Sequence, residues 1–142
     1  MIEMILRQKG DSVATVRPEE TIASAARLLA LRRIGAVLVC DTEGSIVGVL
    51  SERDVVRGLA EHGPTMFERP ISDLMTHAVV TCHPGHSVNE VMGLMTERRI
   101  RHVPVVEEGR LVGIVSIGDL VKHRIEEIER EAAELREYIT MS

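Results

Sequence analysis

Two short phrases hold the residues best suited to chemistry. Gly48-Val49-Leu50-Ser51-Glu52-Arg53-Asp54 is an apolar run that breaks into Ser-x-x-Asp, and Gly113-Ile114-Val115-Ser116-Ile117-Gly118-Asp119 repeats it 65 positions later. Each apolar run predicts a buried strand, with Ser at its end and Asp in the first turn of a helix. The helix pattern follows in Val55, Val56 and Leu59, and again in Leu120, Val121 and Ile125. Backbone N–H groups at a helix start point outward unpaired and favour anions. A hydroxyl and a carboxylate added there suit a phosphate and a ribose, because a carboxylate accepts from two vicinal hydroxyls. The same residues suit plain helix capping, and the serines could equally satisfy local backbone. On the residues alone both readings stand.

The elements that position these corners also occur twice. Thr15-Val16-Arg17-Pro18 aligns with Thr81-Cys82-His83-Pro84, Thr21-Ile22 with Ser87-Val88, and Arg32-Arg33-Ile34 with Arg98-Arg99-Ile100, all at an offset of 66. Past the hairpin turn the offset is 65, because Asp41-Thr42-Glu43-Gly44 has one residue more than Glu107-Glu108-Gly109. A tandem repeat follows. Each copy starts with a short strand, Ser12 to Val16 or Ala78 to Cys82, ending before a proline that favours extended backbone ahead of it. Apolar stripes predict helices over Ile22 to Arg33 and Val88 to Arg99, started by Thr21 and by a Ser87/Glu90 capping box. Strands are expected over Ala36 to Cys40 and Ile46 to Leu50, and over Val103 to Val106 and Leu111 to Val115. Their near-continuous apolar character predicts sheets covered on both faces.

The expected fold class is α+β: two β-α-β-β-α units packed sheet to sheet with pseudo-twofold symmetry, plus a C-terminal helix. The expected division is repeat one over 1–62, a linker and lead-in helix over 63–76, repeat two over 77–124 and a helical tail over 125–142. Ile71 to Met75 reads as the lead-in helix of repeat two, and Met1 to Gln8 as its match for repeat one. In the tail, Val121, Ile125, Ile128, Ala132, Leu135 and Ile139 recur at spacings of 4 and 3, an a/d seam with Glu and Arg around it. That seam fits a helix lying on its own domain or one packing against a partner subunit.

Bulk composition removes several function classes. Aromatic residues make up 1% of the 142 residues, so stacking platforms for single-stranded nucleic acid are missing. A net charge of −5 opposes duplex binding driven by counterion release. No apolar run reaches the roughly 18 residues of a membrane span. Met1 to Gly10 mixes acid, base and glycine and does not read as a signal peptide. Cys40 and Cys82 lack metal or redox spacing and read as buried strand residues in a reducing, cytoplasmic setting. His83-Pro84-Gly85-His86 sits in a turn with no third ligand type near it in sequence, which disfavours a metal site. No nucleophile elbow, phosphate loop or His-Glu metal motif is present, so the chain does not read as an enzyme.

A tandem β-α-β-β-α unit with Ser-x-x-Asp after its third strand resembles the cystathionine β-synthase (CBS) domain pair, or Bateman module. The residues that carry the resemblance are Ile34-Gly35-Ala36-Val37 and Val47 through Asp54 in repeat one. In repeat two they are Arg99 through Val105 and Val112 through Asp119. The stretch through Leu135-Arg136-Glu137-Tyr138-Ile139 is similar to that of small stand-alone CBS-pair proteins. The resemblance implies an inter-repeat cleft that binds AMP, ADP, ATP, S-adenosylmethionine or NAD(H). It assigns Asp54 and Asp119 to ribose and Ser51 and Ser116 to phosphate. Backbone at Ile34, Gly35 and Ala36, or at Ile100, His102 and Pro104, would meet the adenine. The wall would run from Thr15 and Val16 to Pro18 and from Thr81 to Pro84. Arg53, Arg101, His102 and Lys9 would supply cations for a phosphate. Ile117-Gly118 replaces Glu52-Arg53 in repeat two, so the two sites should differ in affinity. The implied role is a regulatory energy or redox sensor, a homodimer acting on an unknown protein target, with no catalytic cofactor. The competing reading is a structural dimerisation or adaptor protein whose clefts bind no nucleotide.

Overall fold

A computed structural model describes residues 1–10 and 13–141. The chain forms two compact units, Ser12–Val80 and Met1–Asp11 with Thr81–Ser142. In packing, the N-terminal helix joins the second repeat and the segment up to Val80 joins the first.

In the unit Ser12–Val80, β1 (Thr15–Val16) pairs in parallel with β2 (Ala36–Cys40), and β2 pairs antiparallel with β3 (Ile46–Ser51). The expected start of the first strand at Ser12 lies outside the described residues. Helix α2 (Ile22–Arg32) begins where Thr21 Oγ1 accepts from the Ser24 N–H, 3.1 Å away. It ends at Arg33, which is left-handed at φ 54°, with the Ile34 N–H reaching back to the Leu29 carbonyl. This closure satisfies the last carbonyls of the helix and turns the chain into β2. Helix α3 (Glu52–His62) follows β3 without a loop. The expected helix over Ile71 to Met75 is a 3₁₀ turn, Ile71–Asp73. Ile71 is fully buried with Val16, Leu29, Val37 and Leu50, so this lead-in seals the first repeat rather than opening the second. Thr76 then exchanges two backbone hydrogen bonds with Val49 of β3. Gly48 makes that crossing possible: a Cβ there would lie 2.5 Å from Met75 Sδ and 3.0 Å from the Thr76 carbonyl.

The other unit contains α1 (Ile2–Lys9), α4 (Val88–Arg98), β4 (His102–Glu107), β5 (Arg110–Ser116) and α5 (Ile117–Met141). Met1 to Gln8 does form a helix, yet not as a lead-in to repeat one. Ile2 and Ile5 are buried with Val88, Val91, Met95, Val103, Val115 and Leu120 of repeat two. The orphan N–H groups of Ile2 and Glu3 donate to the carbonyls of His86 and Pro84. Leu6 packs over Gly113, as Met75 packs over Gly48. Each repeat therefore receives the lead-in segment that precedes the other repeat in sequence.

The expected strand Ala78 to Cys82 is reduced to a single parallel bridge, Cys82 to Val105, leaving a two-stranded β4–β5 sheet. Pro104 is the reason. In repeat one the Leu38 N–H donates to the Ala14 carbonyl and extends the parallel ladder. Pro104 stands at the equivalent position with no N–H to give, so only the Cys82 bonds to Pro104 and Val106 remain. Both copies share a register shift, at Val39/Cys40 and at Val105/Val106.

Helix α5 runs unbroken for 25 residues. Only its start is anchored, by buried Leu120 and His123. Its seam stays exposed, from 40% at Val121 through 51% at Ile128 to 63% at Ile139. A helix lying on its own domain would bury that face, so that expectation fails. No helix among the described residues is long and apolar enough to cross a membrane.

Candidate functional site

Both Ser-x-x-Asp corners form as reciprocal caps. The Asp54 N–H donates to Ser51 Oγ at 3.2 Å, and the Ser51 N–H donates to Asp54 Oδ2 at 2.9 Å. In repeat two the Asp119 N–H donates to Ser116 Oγ at 3.1 Å, and the Ser116 N–H to Asp119 Oδ2 at 2.9 Å. Such a box satisfies orphan donors and contributes about 0.5–2 kcal/mol to the helix start. A second matched bond pins each corner to the strand before it: the Glu52 N–H donates to the Gly35 carbonyl, and the Ile117 N–H to the Arg101 carbonyl. The capping reading is thus met in full, and what each corner has left over decides what else it can do.

The leftovers differ. Asp54 is buried, and its Oδ1 accepts from Arg57 Nη2 at 2.7 Å, so both carboxylate oxygens are committed, one to the end of β3 and one to helix α3. Arg57 was not singled out in the sequence, although a cation three residues after the Asp on a helix is a readable signal. Asp119 is more open, with its side chain 25% exposed. Its Oδ2 takes both the Ser116 N–H and Lys9 Nζ, the latter at 2.7 Å. Lys9 Nζ also donates to the Ile114 carbonyl at 2.9 Å. The cation that repeat two loses by carrying Ile117-Gly118 is therefore restored from α1, 110 positions away. Burial pushes the Asp119 carboxyl up, but the Lys9 ammonium and the Ser116 N–H outweigh it and hold the carboxyl below its ordinary value.

The remaining expected residues fall around these corners in their own units. Ala36 is buried opposite Ser51 in register, and His102 is half-buried opposite Ser116. Ile34 and Ile100 follow the left-handed residues Arg33 and Arg99, and their N–H groups are spent on the carbonyls of Leu29 and Met95. Gly35 has its carbonyl engaged by Glu52. Thr15 is exposed on β1 beside buried Val16, and Pro18 accepts from the Ser72 N–H. Arg53 and Arg101 are exposed, as is Thr81. Pro84 is buried beneath the start of α1, and Pro104 is buried with its carbonyl bonded to Cys82. Pro84 and Pro104 serve packing in these positions.

His83 and His86 each accept a backbone N–H on Nδ1, from Gly85 and His83 respectively, which fixes the turn under α1. Among the described residues no group of three His, Cys, Asp or Glu is placed to hold a metal. Both cysteines are buried; burial raises the Cys40 thiol and pushes Cys82 up to about 11, so neither is a poised nucleophile.

Two repeated strand-to-helix corners, each closed by a capped Ser-x-x-Asp, define a tandem-repeat α+β protein. The CBS domain profile matches residues 10–61 and 71–126, and the chain belongs to the CBS domain family. It is 43% identical to a solved CBS-domain-containing protein from Agrobacterium tumefaciens, with TM-score 0.84 and coverage of 87% of this chain and 92% of that one. It is 34% identical over 113 residues to the CBS domain-containing protein YhcV of Bacillus subtilis, spanning 80% of this chain and 79% of YhcV. The solved CBS domain pair of protein MJ0100, in complex with 5′-methylthioadenosine and S-adenosyl-L-methionine, matches with 27% identity and TM-score 0.80 over 89% of this chain and 97% of that one. The described residues comprise the two repeats and α5, with no catalytic domain among them.

The depressed Asp119 carboxyl makes an acid-stability prediction. A carboxylate whose folded pKa lies below its unfolded value contributes stability above about pH 4 that is lost as pH falls through the folded value. Lys9→Met removes the main compensating cation. Its acid unfolding, followed by circular dichroism, is expected to begin at higher pH than that of the wild type. Coincident acid limbs would mean that the Lys9–Asp119 bond does not form in solution.

Proposed function

We propose that this protein is a regulatory module that binds an adenosine nucleotide, AMP, ADP, ATP or NAD(H). It senses energy or redox state in the cytoplasm and transmits it to a separate protein. The observation that carries this reading is the Asp119 corner. There an open carboxylate oxygen, a hydroxyl and an ammonium lie together at a helix start, matching the diol and phosphate of a nucleotide. Membership of the CBS family supports it, as does a solved relative that holds two adenosine compounds. Sensing requires that the ligand favour one of two arrangements of the protein by differential affinity.

A thermal-shift panel of AMP, ADP, ATP, NAD+, NADH and S-adenosylmethionine tests the reading on wild type, Asp54→Ala and Asp119→Ala. A ligand specific to the folded state stabilises by about 2.7 kcal/mol at a hundred times its dissociation constant. The reading expects at least one ligand to raise the melting temperature and Asp119→Ala to lose that shift. A flat panel at millimolar ligand would sink it.

The exposed seam of α5 favours a second reading, dimerisation through the tail, which is compatible with the first and would be the sole function of an adaptor. A second copy suits the face by charge. In a parallel pair, Arg124 lies beside Glu129 of the other helix and Glu131 beside Arg136, opposite signs in both cases. Leu135→Glu is expected to shift the species seen in analytical ultracentrifugation from dimer to monomer. A wild type that sediments as a monomer at all concentrations would remove the second copy as the occupant.

A further inference from the structure

We infer that Lys9 makes the repeat-two corner selective for adenosine ligands that carry a 5′-phosphate over those with a neutral 5′ group. The inference rests on the adenosine-binding reading above and specifies which ligands that corner takes. An ammonium has three donors. Lys9 Nζ commits two of them, to Asp119 Oδ2 at 2.7 Å and to the Ile114 carbonyl at 2.9 Å. The third has no acceptor among the described residues, and the Lys9 side chain is 35% exposed. Beside it, Asp119 Oδ1 receives no donor among the described residues, because Oδ2 takes both the Ser116 N–H and Lys9. An unspent acceptor and an unspent cationic donor thus stand on adjacent groups. A ribose diol donates to the first, and a phosphate oxygen accepts from the second.

Repeat one offers no equal arrangement. Both Asp54 oxygens are spent, and the cation that binds one of them, Arg57, rises from the same helix one turn further on. Lys9 is held differently. It comes from α1, whose Ile2 and Ile5 are anchored in the repeat-two core, so the ammonium is delivered from a fixed support. A cation already bonded to the carboxylate and to the Ile114 carbonyl loses less freedom when a phosphate arrives than an unbonded one would. It also keeps Asp119 ionised, which the diol contact requires.

Isothermal titration of AMP and of adenosine into wild type, Lys9→Met and Lys9→Arg tests the inference, with melting temperatures confirming that each variant is folded. One charge-assisted hydrogen bond corresponds to about tenfold or more in affinity. The wild type is expected to bind AMP about tenfold tighter than adenosine. Lys9→Met should lose that margin by weakening AMP alone, and Lys9→Arg should retain most of it. Equal weakening of both ligands in Lys9→Met, tighter AMP binding in that variant, or a wild type that does not distinguish the two would each overturn the inference. Adenosine binding that depends on Asp119 but is indifferent to Lys9 would sink this inference and leave the adenosine-binding reading standing. Failure of both ligands to bind the wild type would overturn this inference, and the thermal-shift panel of six ligands then decides whether the adenosine-binding reading falls with it.

Discussion

The reciprocal Ser–Asp cap is the constraint on which the rest of this structure depends. It lets a buried strand become a helix with no intervening loop, because the Ser and Asp N–H groups are met within four residues and the first helical N–H donates to the approach of the neighbouring strand. The same bonds fix the carboxylate against the strand end. A side chain on a loop would have to be ordered when a ligand arrives, whereas this one is ordered by the fold. Capping and ligand recognition are therefore compatible roles: the cap uses one carboxylate oxygen and leaves the other to be assigned.

How the second oxygen is assigned separates two corners that share the same Ser-x-x-Asp cap. In repeat one it goes to Arg57 on the same helix. In repeat two it stays open, while the oxygen shared with the cap also holds Lys9. The difference traces to the exchange of lead-in segments. Because α1 packs on repeat two, a residue near the start of the chain reaches the corner near its end. The glycines Gly48 and Gly113 make both packings possible by leaving room above the last strand of each sheet, where a β-carbon would crowd Met75 or Leu6.

Much of this was legible in the sequence, and the exceptions have identifiable physical causes. The repeat offset, the two helices α2 and α4, the hairpins and the Ser-x-x-Asp corners follow from short-range periodicity and capping chemistry. They are local, so local pattern reports them. The lead-in exchange is not local. Both sheets present the same apolar face with a glycine at the same place, and nothing in Met1 to Gln8 says which one it will cover. The shortened strand before Cys82 was readable in principle from Pro104, whose missing N–H stops the parallel ladder. Lys9 could be named as a candidate cation but not placed, since its partner lies 110 positions away. Arg57 was the one site neighbour with an overlooked local signal. For the tail the sequence left two readings, and the exposure of Val121, Ile128 and Ile139 removes the one in which α5 lies on its own domain.

The central claim is that the Asp119 corner receives a nucleotide in addition to capping α5. The most direct measurement is a two-dimensional amide NMR titration of the full chain with AMP. Two amide groups, those of Ser116 and Asp119, are themselves the donors of the cap and report any new bond to the carboxylate or hydroxyl. The account predicts saturable shifts centred on Ile114, Ser116, Asp119 and Lys9. Saturating AMP that leaves these amides unmoved, while others shift or none do, would contradict it.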